Sequence, residues 1–293
     1  MENILEIKRR MKGIKEIRHL TGAMKLVAAT KLRKAQERVE ASRPFAKKIS
    51  EVVQDLYELA GKNLHPLMEV RTVKRVGLVV VTSDRGLCGA YNSNILRHAL
   101  SCINALPKEQ EVSIIAIGRK GRDFFRRRGY KLSWEFCGES SRPTFLQAAQ
   151  IAELIMKEFL AREVDQVDII YSRFYNAYLQ KPRRFRLLPI APAAADTRVP
   201  QRPAANWVFD PSPAELLDHL IPRYVEAQIY RALLEADVGE KGARMTSMGA
   251  ASDNAEEIMA KLAQRYNRYR QTIITNELSE LMGGVEGLRE KES

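Results

Sequence analysis

Apolar residues recur at steps of three and four over both ends of the chain, and this period constrains the fold more than any other feature. At the N-terminal end the series includes Ile4, Ile7, Met11, Ile14, Ile17, Leu20, Met24 and Val27. At the C-terminal end a longer series runs from Leu216 to Val285. Because this spacing places apolar side chains on one helix face, both ends are predicted to be long amphipathic helices.

The predicted helices are too long to be buried within a small globular domain. At 1.5 Å per residue, residues 3–59 would extend about 85 Å and residues 213–286 about 110 Å, whereas a small domain is roughly 30 Å across. We therefore expect the two helices to pair with each other as an antiparallel coiled coil, while the intervening segment folds at one end.

Prolines and glycines within these segments predict interruptions. Pro44 removes a helical hydrogen bond and is expected to kink or divide the first helix. Pro222 is expected to kink the last helix. Gly239 and Gly242 mark a weak point in the same helix, since each glycine costs roughly 1 kcal/mol relative to alanine.

The middle of the chain alternates β-branched runs with helical stretches. Strands are predicted at Val76–Val81, Val112–Gly118, Lys131–Phe136 and Val167–Tyr175, and helices at Asn92–Ala105 and Thr144–Leu160, with a basic helix or loop at Arg119–Arg128. This alternation predicts a small, mainly parallel sheet with helices on its faces. The predicted fold class is α/β plus a long α-helical coiled coil, with a central Rossmann-like α/β domain. The predicted regions are residues 1–60 for the N-terminal helix, 70–207 for the α/β domain and 208–293 for the C-terminal helix.

Two helix starts carry a capping signal. Ser212 is predicted to cap the last helix, with Pro213 at its first position and Glu215 three residues after the cap. Thr144 stands in the corresponding place before the helix that precedes the fourth strand.

Charge and cysteine content narrow the class of protein. The 293-residue chain carries 48 basic and 36 acidic residues, a net charge of +12, which indicates an acidic partner: nucleic acid, an anionic membrane surface or an acidic protein. There is no run of 18 apolar residues that would span a bilayer and no apolar segment of a secretory signal. The three cysteines, Cys88, Cys102 and Cys137, form no metal-ligand pattern and indicate a reducing compartment.

The turn Ser83–Gly89 (SDRGLCG) follows a buried strand and precedes a helix, where open α/β sheets bind ligands. It lacks the glycine patterns that bind phosphate, so a backbone turn is favoured over a nucleotide site. Cys88 has no histidine close to it in sequence, and inert thiols are favoured for all three cysteines. The basic run within Arg119–Arg128 fits phosphate contacts and a solvated helix face about equally well.

Three segments resemble the signature regions of the F-type ATP synthase gamma subunit family. They are LTGAMKLVAATKLRKAQ (20–36), SDRGLCGAYN (83–92) and ARMTSMGAASDNAEEIMAKLAQRYNRYRQTIITNELSELMGG (243–284). Their order and separation also match the family, and the last segment extends over about forty positions. One departure is Gly22, which stands where family members commonly carry lysine, so no role of that lysine is expected here.

The resemblance implies a rotor shaft that is not an enzyme and holds no cofactor or metal. In this family the paired terminal helices lie inside a ring of alpha and beta subunits, while the α/β domain meets the epsilon subunit and the c-ring. The delta subunit is reached only indirectly. Rotation couples the flow of protons or sodium ions to ATP synthesis or hydrolysis at the beta subunits. The implied location is peripheral to the bacterial plasma membrane, on its cytoplasmic side.

The resemblance also assigns residues that contact partners. Met24 and Lys25 match positions on the shaft near its lower contacts, and Arg244 matches an arginine of the buried shaft. A polar group resembles the family's contact with loops of the beta subunit, and an apolar group resembles the tip seated in an apolar bearing. The polar group is Arg268, Arg270, Gln271, Thr275 and Glu277, and the apolar group is Leu278, Leu281, Met282 and Val285.

Two other classes of function remain open at this point. One is a basic coiled-coil protein that binds nucleic acid, which would bind DNA in a salt-sensitive way. The other is an α/β enzyme with helical arms that uses the turn Ser83–Gly89, which would bind and turn over nucleotide. A rotor shaft has neither specific activity, and no specific nucleic acid partner is expected for it.

Overall fold

The structure, a computed structural model, describes residues 4–60, 65–107, 109–138, 142–190 and 213–292. The chain divides into two compact units, one formed by Met1–Val27 and Thr246–Ser293 and the other by Ala28–Met245. Two long helices, α1 (Ile4–Ala60) and α5 (Pro213–Glu292), contribute residues to both units. Among the described residues, no helix is long and apolar enough to cross a membrane.

Both long helices continue through the residues that were expected to interrupt them. The expectation that Pro44 divides the first helix is wrong, because α1 remains helical on both sides of it. Beyond this proline, Ile49, Val53 and Leu56 are buried in the core of the second unit. Burying one aliphatic side chain contributes about 1.5–3 kcal/mol, so three of them outweigh the roughly 3 kcal/mol that an interior proline costs.

In the last helix, burial of apolar side chains likewise outweighs the cost of residues that disfavour a helix. α5 passes Pro222 and the two glycines, Gly239 and Gly242, without ending. Ile221 and Val225, which flank the proline, are fully buried. Tertiary burial therefore decides the extent of these helices, since it exceeds the local propensity of single residues.

In the first unit, the N-terminal part of α1 pairs with the C-terminal part of α5 in antiparallel orientation. Arg18 Nη1 lies 3.3 Å from Glu256 Oε1. Seven residues later on α1, the Lys25 side chain passes Gly249, seven residues earlier on α5, where a Cβ atom would be 3.5 Å from the lysine Cε. Five side chains of the described residues are buried along this pair: Ile7, Thr21, Met248, Ala255 and Leu262.

In the second unit, the remaining part of α1 pairs with the first part of α5, again antiparallel. Arg38 Nη2 lies 3.1 Å from Asp237 Oδ2. Farther along α1, Ser50 Oγ accepts a hydrogen bond of 3.1 Å from Gln228 Nε2. The predicted antiparallel pairing of the terminal helices is confirmed.

The second unit also contains a five-stranded sheet in the order β3-β2-β1-β4-β5. The strands are β1 (Arg75–Val81), β2 (Glu111–Ile117), β3 (Leu132–Phe136), β4 (Gln166–Phe174) and β5 (Gln180–Leu188). The first four run parallel, and β5 runs antiparallel to β4. The helices between them are α2 (Tyr91–Asn104), α3 (Arg119–Arg127) and α4 (Phe145–Leu160), and a short 3-10 turn spans Pro66–Met68.

The sheet is covered on both faces, which confirms the Rossmann-like prediction. Side chains of β1 alternate between the faces, as the period of two in a strand requires. Val79 and Val81 enter a core formed with α4 and the two long helices. Leu78 and Val80 enter a second core formed with α2 and α3.

Strand β5 was not predicted from the sequence. Its segment, QKPRRFRLL, contains Pro182 and four cations and so does not resemble a buried strand. The edge position tolerates the proline. Two of the four cations are explained by Asp168, a buried carboxylate on β4. Its Oδ2 accepts a hydrogen bond of 2.9 Å from Arg184 Nε, and its Oδ1 lies 3.4 Å from Arg186 Nε.

The predicted cap at Thr144 is confirmed as a complete capping box. Thr144 Oγ1 accepts a hydrogen bond of 3.3 Å from the Gln147 N–H, and Gln147 Oε1 accepts one of 3.0 Å from the Thr144 N–H. The other predicted cap, Ser212, lies outside the described residues.

Candidate partner-contact site

The C-terminal part of α5 is exposed on every side. All residues from Arg270 to Gly283 are exposed. Leu278, Leu281 and Met282 have 56%, 67% and 70% of their surface accessible. Their spacing of three and four puts them on one helix face, and Ile274, 45% exposed, extends that face by one turn. Exposed apolar faces of this kind are typical of surfaces that contact another protein.

Polar side chains surround this apolar face. Thr275 satisfies its hydroxyl within the helix, because Thr275 Oγ1 donates to the Gln271 carbonyl at 2.9 Å. Within the described part of the chain, neither Arg268 nor Arg270 forms an ion pair, so both guanidinium groups project as unneutralised cations. Glu277 and Gln271 are exposed as well. The predicted polar and apolar groups thus share one solvent-facing helix end.

The remaining predicted contact residues have different surroundings. Met24 is half-buried and Lys25 is exposed in the first unit. Arg244 is mostly buried in the second unit, where its Nη2 donates to the Gly86 carbonyl at 3.1 Å and also bonds Glu240. Val285 belongs to α5, but its side chain lies outside the described residues. The structure therefore brings together the predicted residues from 268 to 282 and places the others elsewhere.

The turn Ser83–Gly89 is occupied by contacts of the chain itself. A phosphate at this edge of a sheet would be held by the free N–H groups at the start of the following helices. The first N–H groups of α3 already have partners. Asp84 Oδ1, the Ser83 carbonyl and Thr82 Oγ1 accept from the N–H groups of Arg119, Lys120 and Gly121 at 2.9, 3.1 and 2.8 Å.

The surroundings of Gly89 and Cys88 in this turn also favour a structural role over a chemical one. Gly89 and Leu87 both have positive φ angles, 55° and 62°, which make the turn tight. Cys88 is buried, and burial raises the pKa of its thiol, with smaller opposing effects from its hydrogen bonds. Burial likewise raises the pKa of Cys137. A thiol with a raised pKa holds less thiolate at neutral pH and is a poorer nucleophile.

Comparisons with known proteins decide the family. A family model described as ATP synthase matches residues 3–288. The chain is 46% identical to the ATP synthase gamma chain of Heliobacterium modesticaldum, over 98% of this chain and all of that relative. It is 43% identical to the ATP synthase gamma chain of Desulfitobacterium hafniense, again over 98% of this chain and all of the relative. The chain belongs to the ATP synthase gamma chain family.

Chains in solved structures of mitochondrial ATP synthases share the fold. The central stalk and c-ring structure of the Tetrahymena thermophila mitochondrial ATP synthase contains a chain that matches with a TM-score of 0.60 and 26% identity, covering 80% of this chain and 99% of that one. A chain in the OSCP/F1/c-ring structure of the Euglena gracilis mitochondrial ATP synthase matches with a TM-score of 0.69 at 18% identity, covering 99% and 96%. As a gamma chain, the protein is a subunit of an ATP synthase.

The basic run of this gamma chain is largely engaged within its own unit. Arg126 Nη2 lies 2.8 Å from Glu135 Oε2, and the Arg128 guanidinium lies 3.8 Å from the centre of the Phe124 ring. Phe125 is fully buried. A solvated helix face with internal partners accounts for α3, so the nucleic-acid alternative gains no support from it. Among the described residues, no cluster of acidic, histidine and cysteine side chains could hold a metal ion.

Sequence reasoning missed part of the exposed helix end. Ile273 and Ile274 are 39% and 45% exposed, although neither was included among the predicted contact residues. Ile274 lies four residues before Leu278, so its helical spacing was a readable signal.

Proposed function

We propose that this chain is the central rotor shaft of an F-type ATP synthase, which couples ion flow through the membrane sector to ATP synthesis or hydrolysis at the beta subunits. The observation that carries the proposal is the exposed apolar face Leu278–Met282 at the end of α5, in a chain of the gamma family. A helix end with this exposure needs a surrounding apolar surface, which a ring of alpha and beta subunits supplies.

The polar group beside that face supports a signalling role toward the beta subunits. A shaft alters the state of a catalytic site only through contacts that differ between the states of that site. Arg268 and Arg270, which form no ion pair with any described residue, offer directional contacts together with Gln271, Thr275 and Glu277. These polar groups flank the apolar face, and their contacts can differ between three surrounding subunits. Met24, Lys25 and Val285 are proposed as further contacts of the shaft.

Other parts of the chain receive other partners in this proposal. Residues 1–60 and 208–293 form the shaft, and the α/β domain (70–207) contacts the epsilon subunit and the c-ring, while the delta subunit is reached only through the hexamer. The matching chain of the Tetrahymena thermophila mitochondrial ATP synthase comes from a structure of the central stalk and c-ring, which supports this assignment. The complex would lie at a bacterial plasma membrane, with this subunit peripheral on the cytoplasmic side.

We also propose that the chain has no catalytic activity of its own. The N–H groups at the start of α3 are bonded to Asp84, Ser83 and Thr82, which leaves no cradle for a phosphate there. Burial raises the pKa of the Cys88 and Cys137 thiols and makes both poor nucleophiles.

The experiment that tests this function is complementation of an ATP synthase lacking its gamma chain. A tagged copy of this chain should copurify with alpha, beta and epsilon subunits and restore ATP-driven ion uptake into membrane vesicles, which is followed with both proton and sodium indicators. The purified chain alone should neither hydrolyse ATP nor bind a defined DNA site. Recovery of the tagged chain without alpha and beta subunits, or ATP turnover by the chain alone, would overturn the proposal.

A further inference from the structure

A set of polar contacts joins α5 to the α/β domain between Ala236 and Arg244, entirely within the second unit. Tyr91 Oη, at the start of α2, donates to the Ala236 carbonyl at 2.8 Å. Arg244 Nη2 donates to the Gly86 carbonyl at 3.1 Å. We call these two hydrogen bonds, which lie two helical turns apart on α5, the polar collar.

A large apolar core also joins α5 to the α/β domain. Leu217, Ile221, Val225 and Ile229 are fully buried in the core shared with the sheet and α4. Burial of apolar surface is non-directional, so it opposes separation of two surfaces more strongly than sliding of one along the other. Hydrogen bonds impose a distance and an angle, and they are lost when the partners move past each other.

The close approach of the α5 backbone to its neighbours makes the polar collar sensitive to displacement of α5. A Cβ atom on Gly239 would lie 3.2 Å from Tyr91 Cε2, and one on Gly242 would lie 3.4 Å from Ala177 Cα. The α5 backbone is therefore in direct contact with α2 and with the turn between β4 and β5. A one-residue shift of α5, which combines a rise of about 1.5 Å with a rotation of about 100°, would separate both hydrogen-bonded pairs and move larger side chains into these gaps.

A buried ion pair ties α1 to the same part of α5. The Asp237 carboxylate is buried, and it pairs with Arg38 of α1 at 3.1 Å and with Lys241 one turn along α5. A buried carboxylate that loses its cations pays a large desolvation penalty, so the pairing favours one register of the two helices.

We propose that the polar collar is a register lock, in which Tyr91 and Arg244 act as positioning residues that hold α5 and the α/β domain as one body under torque. This inference rests on the proposed function, in which load enters at the α/β domain from the c-ring and leaves at the end of α5. A lock is needed there because the apolar interface alone permits slip. Slip would let ATP hydrolysis continue with less ion transported per ATP.

The first test loosens the collar in the complete enzyme. Tyr91→Phe removes one hydroxyl, and Arg244→Met removes the guanidinium but keeps most of the aliphatic stem. We expect the double variant to assemble, and its ratio of ATP-driven ion uptake to ATP hydrolysis in vesicles to fall at least threefold. Ile155→Val, which trims the core at α4 without touching the collar, is the control for a general loss of stability. The control should keep the ratio even if its melting temperature falls as far.

The single variants separate the collar from a contact with a partner subunit. Tyr91 is buried in the second unit, so Tyr91→Phe alone should lower the ratio without lowering the yield of assembled complex. A loss of assembly in Arg244→Met with an unchanged ratio in Tyr91→Phe would overturn the lock and assign Arg244 to a partner.

The second test closes the joint covalently. Ala177→Cys with Gly242→Cys places two thiols at a close backbone approach, where a Cβ atom on residue 242 would lie 3.4 Å from the Cα atom of residue 177. The background is Cys88→Ala, Cys102→Ser and Cys137→Ser, so that no other thiol can pair. After oxidation, ATP hydrolysis and ion uptake should both persist. In the Tyr91→Phe/Arg244→Met background, oxidation should restore the ratio of ion uptake to ATP hydrolysis. Each single cysteine variant controls for the oxidant, and reduction should reverse the rescue.

Three results would count against the lock. Arrest of turnover by the closed disulfide would mean that the joint must move during rotation. An unchanged ratio in the double variant would mean that the apolar interface suffices. Failure of oxidation to rescue the ratio would mean that the loss arose elsewhere. If the unsubstituted chain does not restore ion uptake at all, the proposed function fails instead, so the two failures are distinguishable.

Discussion

The Gly118 backbone passes so close to Thr82 that a Cβ atom on the glycine would overlap the threonine carbonyl oxygen. Gly118 follows β2 with a φ of 92°, and Thr82 follows the neighbouring strand β1. Thr82 Oγ1 in turn donates to the Ile117 carbonyl at 3.0 Å and accepts from the Gly121 N–H at 2.8 Å. The carboxyl ends of two parallel strands and the start of α3 are thus fixed in one compact junction.

Gly118→Ala should destabilise the chain far more than the same change at Gly129. Gly129 also has a positive φ, 76°, but open space surrounds its Cβ position. Gly129→Ala therefore incurs only the backbone penalty of about 1–2 kcal/mol. Gly118→Ala adds a clash with the rigid Thr82 backbone, so its free energy of unfolding should fall further. Urea unfolding of both variants measures the difference, and equal losses would contradict the assignment of a steric cost.

Charge introduced into the exposed apolar face should weaken seating of the α5 end. In Leu278→Asp/Leu281→Asp/Met282→Asp, an apolar sleeve would have to bury carboxylates, which costs several kcal/mol. We expect the amount of variant chain retained in the purified complex to fall at least tenfold, since about 1.4 kcal/mol corresponds to a factor of ten. Quantitative gel analysis of the affinity-purified complex gives this measurement.

The matched control for that variant is Ser279→Asp, which adds a carboxylate to the same turn outside the apolar face. It should assemble and couple as the unsubstituted chain does. Normal assembly and ion uptake by the triple variant would remove the seating role from these three residues.

Loss of the capping box should destabilise α4 without affecting partner contacts. Thr144→Ala removes the oxygen that accepts the Gln147 N–H, and loss of such a cap costs about 0.5–2 kcal/mol. Thr144→Ser keeps an acceptor at the same place and should remain within a few tenths of a kcal/mol of the original. Thermal unfolding followed by circular dichroism compares the two. A loss in the serine variant equal to that in the alanine variant would show that the methyl group matters instead.

His65 should make stability fall on mild acidification. Burial lowers the pKa of this imidazole, although the Asp218 carboxylate, 3.7 Å from Nε2, acts in the opposite direction. The unfolded chain therefore takes up a proton near pH 6.5 while the folded chain stays neutral to lower pH. Because the unfolded state binds more protons in that interval, the free energy of unfolding decreases from about pH 6.5 down to the folded pKa.

The comparison variant for this slope is His65→Asn. Asparagine retains an acceptor for the Leu67 N–H, which now bonds His65 Nδ1 at 3.1 Å, but it does not titrate. Urea unfolding at several pH values between 7.5 and 5.5 should give a flatter profile for the variant, by about 1.4 kcal/mol for each unit by which the folded pKa is lowered. Parallel profiles would indicate that His65 protonates equally in both states.

The thiols should react in the order of their exposure. Cys102 and Cys137 are half-buried, and Cys88 is buried with a raised pKa, so a neutral-pH thiol reagent should label the first two before Cys88. Peptide mass analysis over time gives this order, and denaturant should abolish it. Coupled ion uptake should survive labelling of Cys102 and Cys137. Loss of coupling after mild oxidation would contradict the interpretation of these thiols as inert.

Local sequence patterns predicted the presence and type of the helices and strands better than they predicted where each element ends. The parallel strands and the two long helices follow from periods of two and of three to four, which burial then reinforced. Pro44 led to the wrong prediction of a helix break because the free-energy cost of a proline can be read from the local sequence. The burial of Ile49, Val53 and Leu56 that compensates for this cost depends on the tertiary structure. Strand β5 was missed because Arg184 and Arg186 are explained only by their neighbour Asp168, and that neighbour is set by the sheet order.

The candidate site was harder to derive from residues alone. The same apolar period runs through Leu217–Leu233, which is buried, and through Ile274–Met282, which is exposed. A period reports which side chains share a face but not whether the chain itself covers that face. Family resemblance directed attention to residues 268–285, and only the folded structure distinguished Arg244, bonded inside its unit, from the open residues near the helix end.

The exposed end of α5 also has a consequence before the complex is assembled. A copy of this chain without partner subunits exposes Leu278, Leu281 and Met282 to chaperones and proteases. In the proposed assembly, these side chains are covered only once the hexamer forms around them. We expect surplus copies to be aggregated or degraded, so that cellular supply of the subunit follows that of the subunits that enclose it.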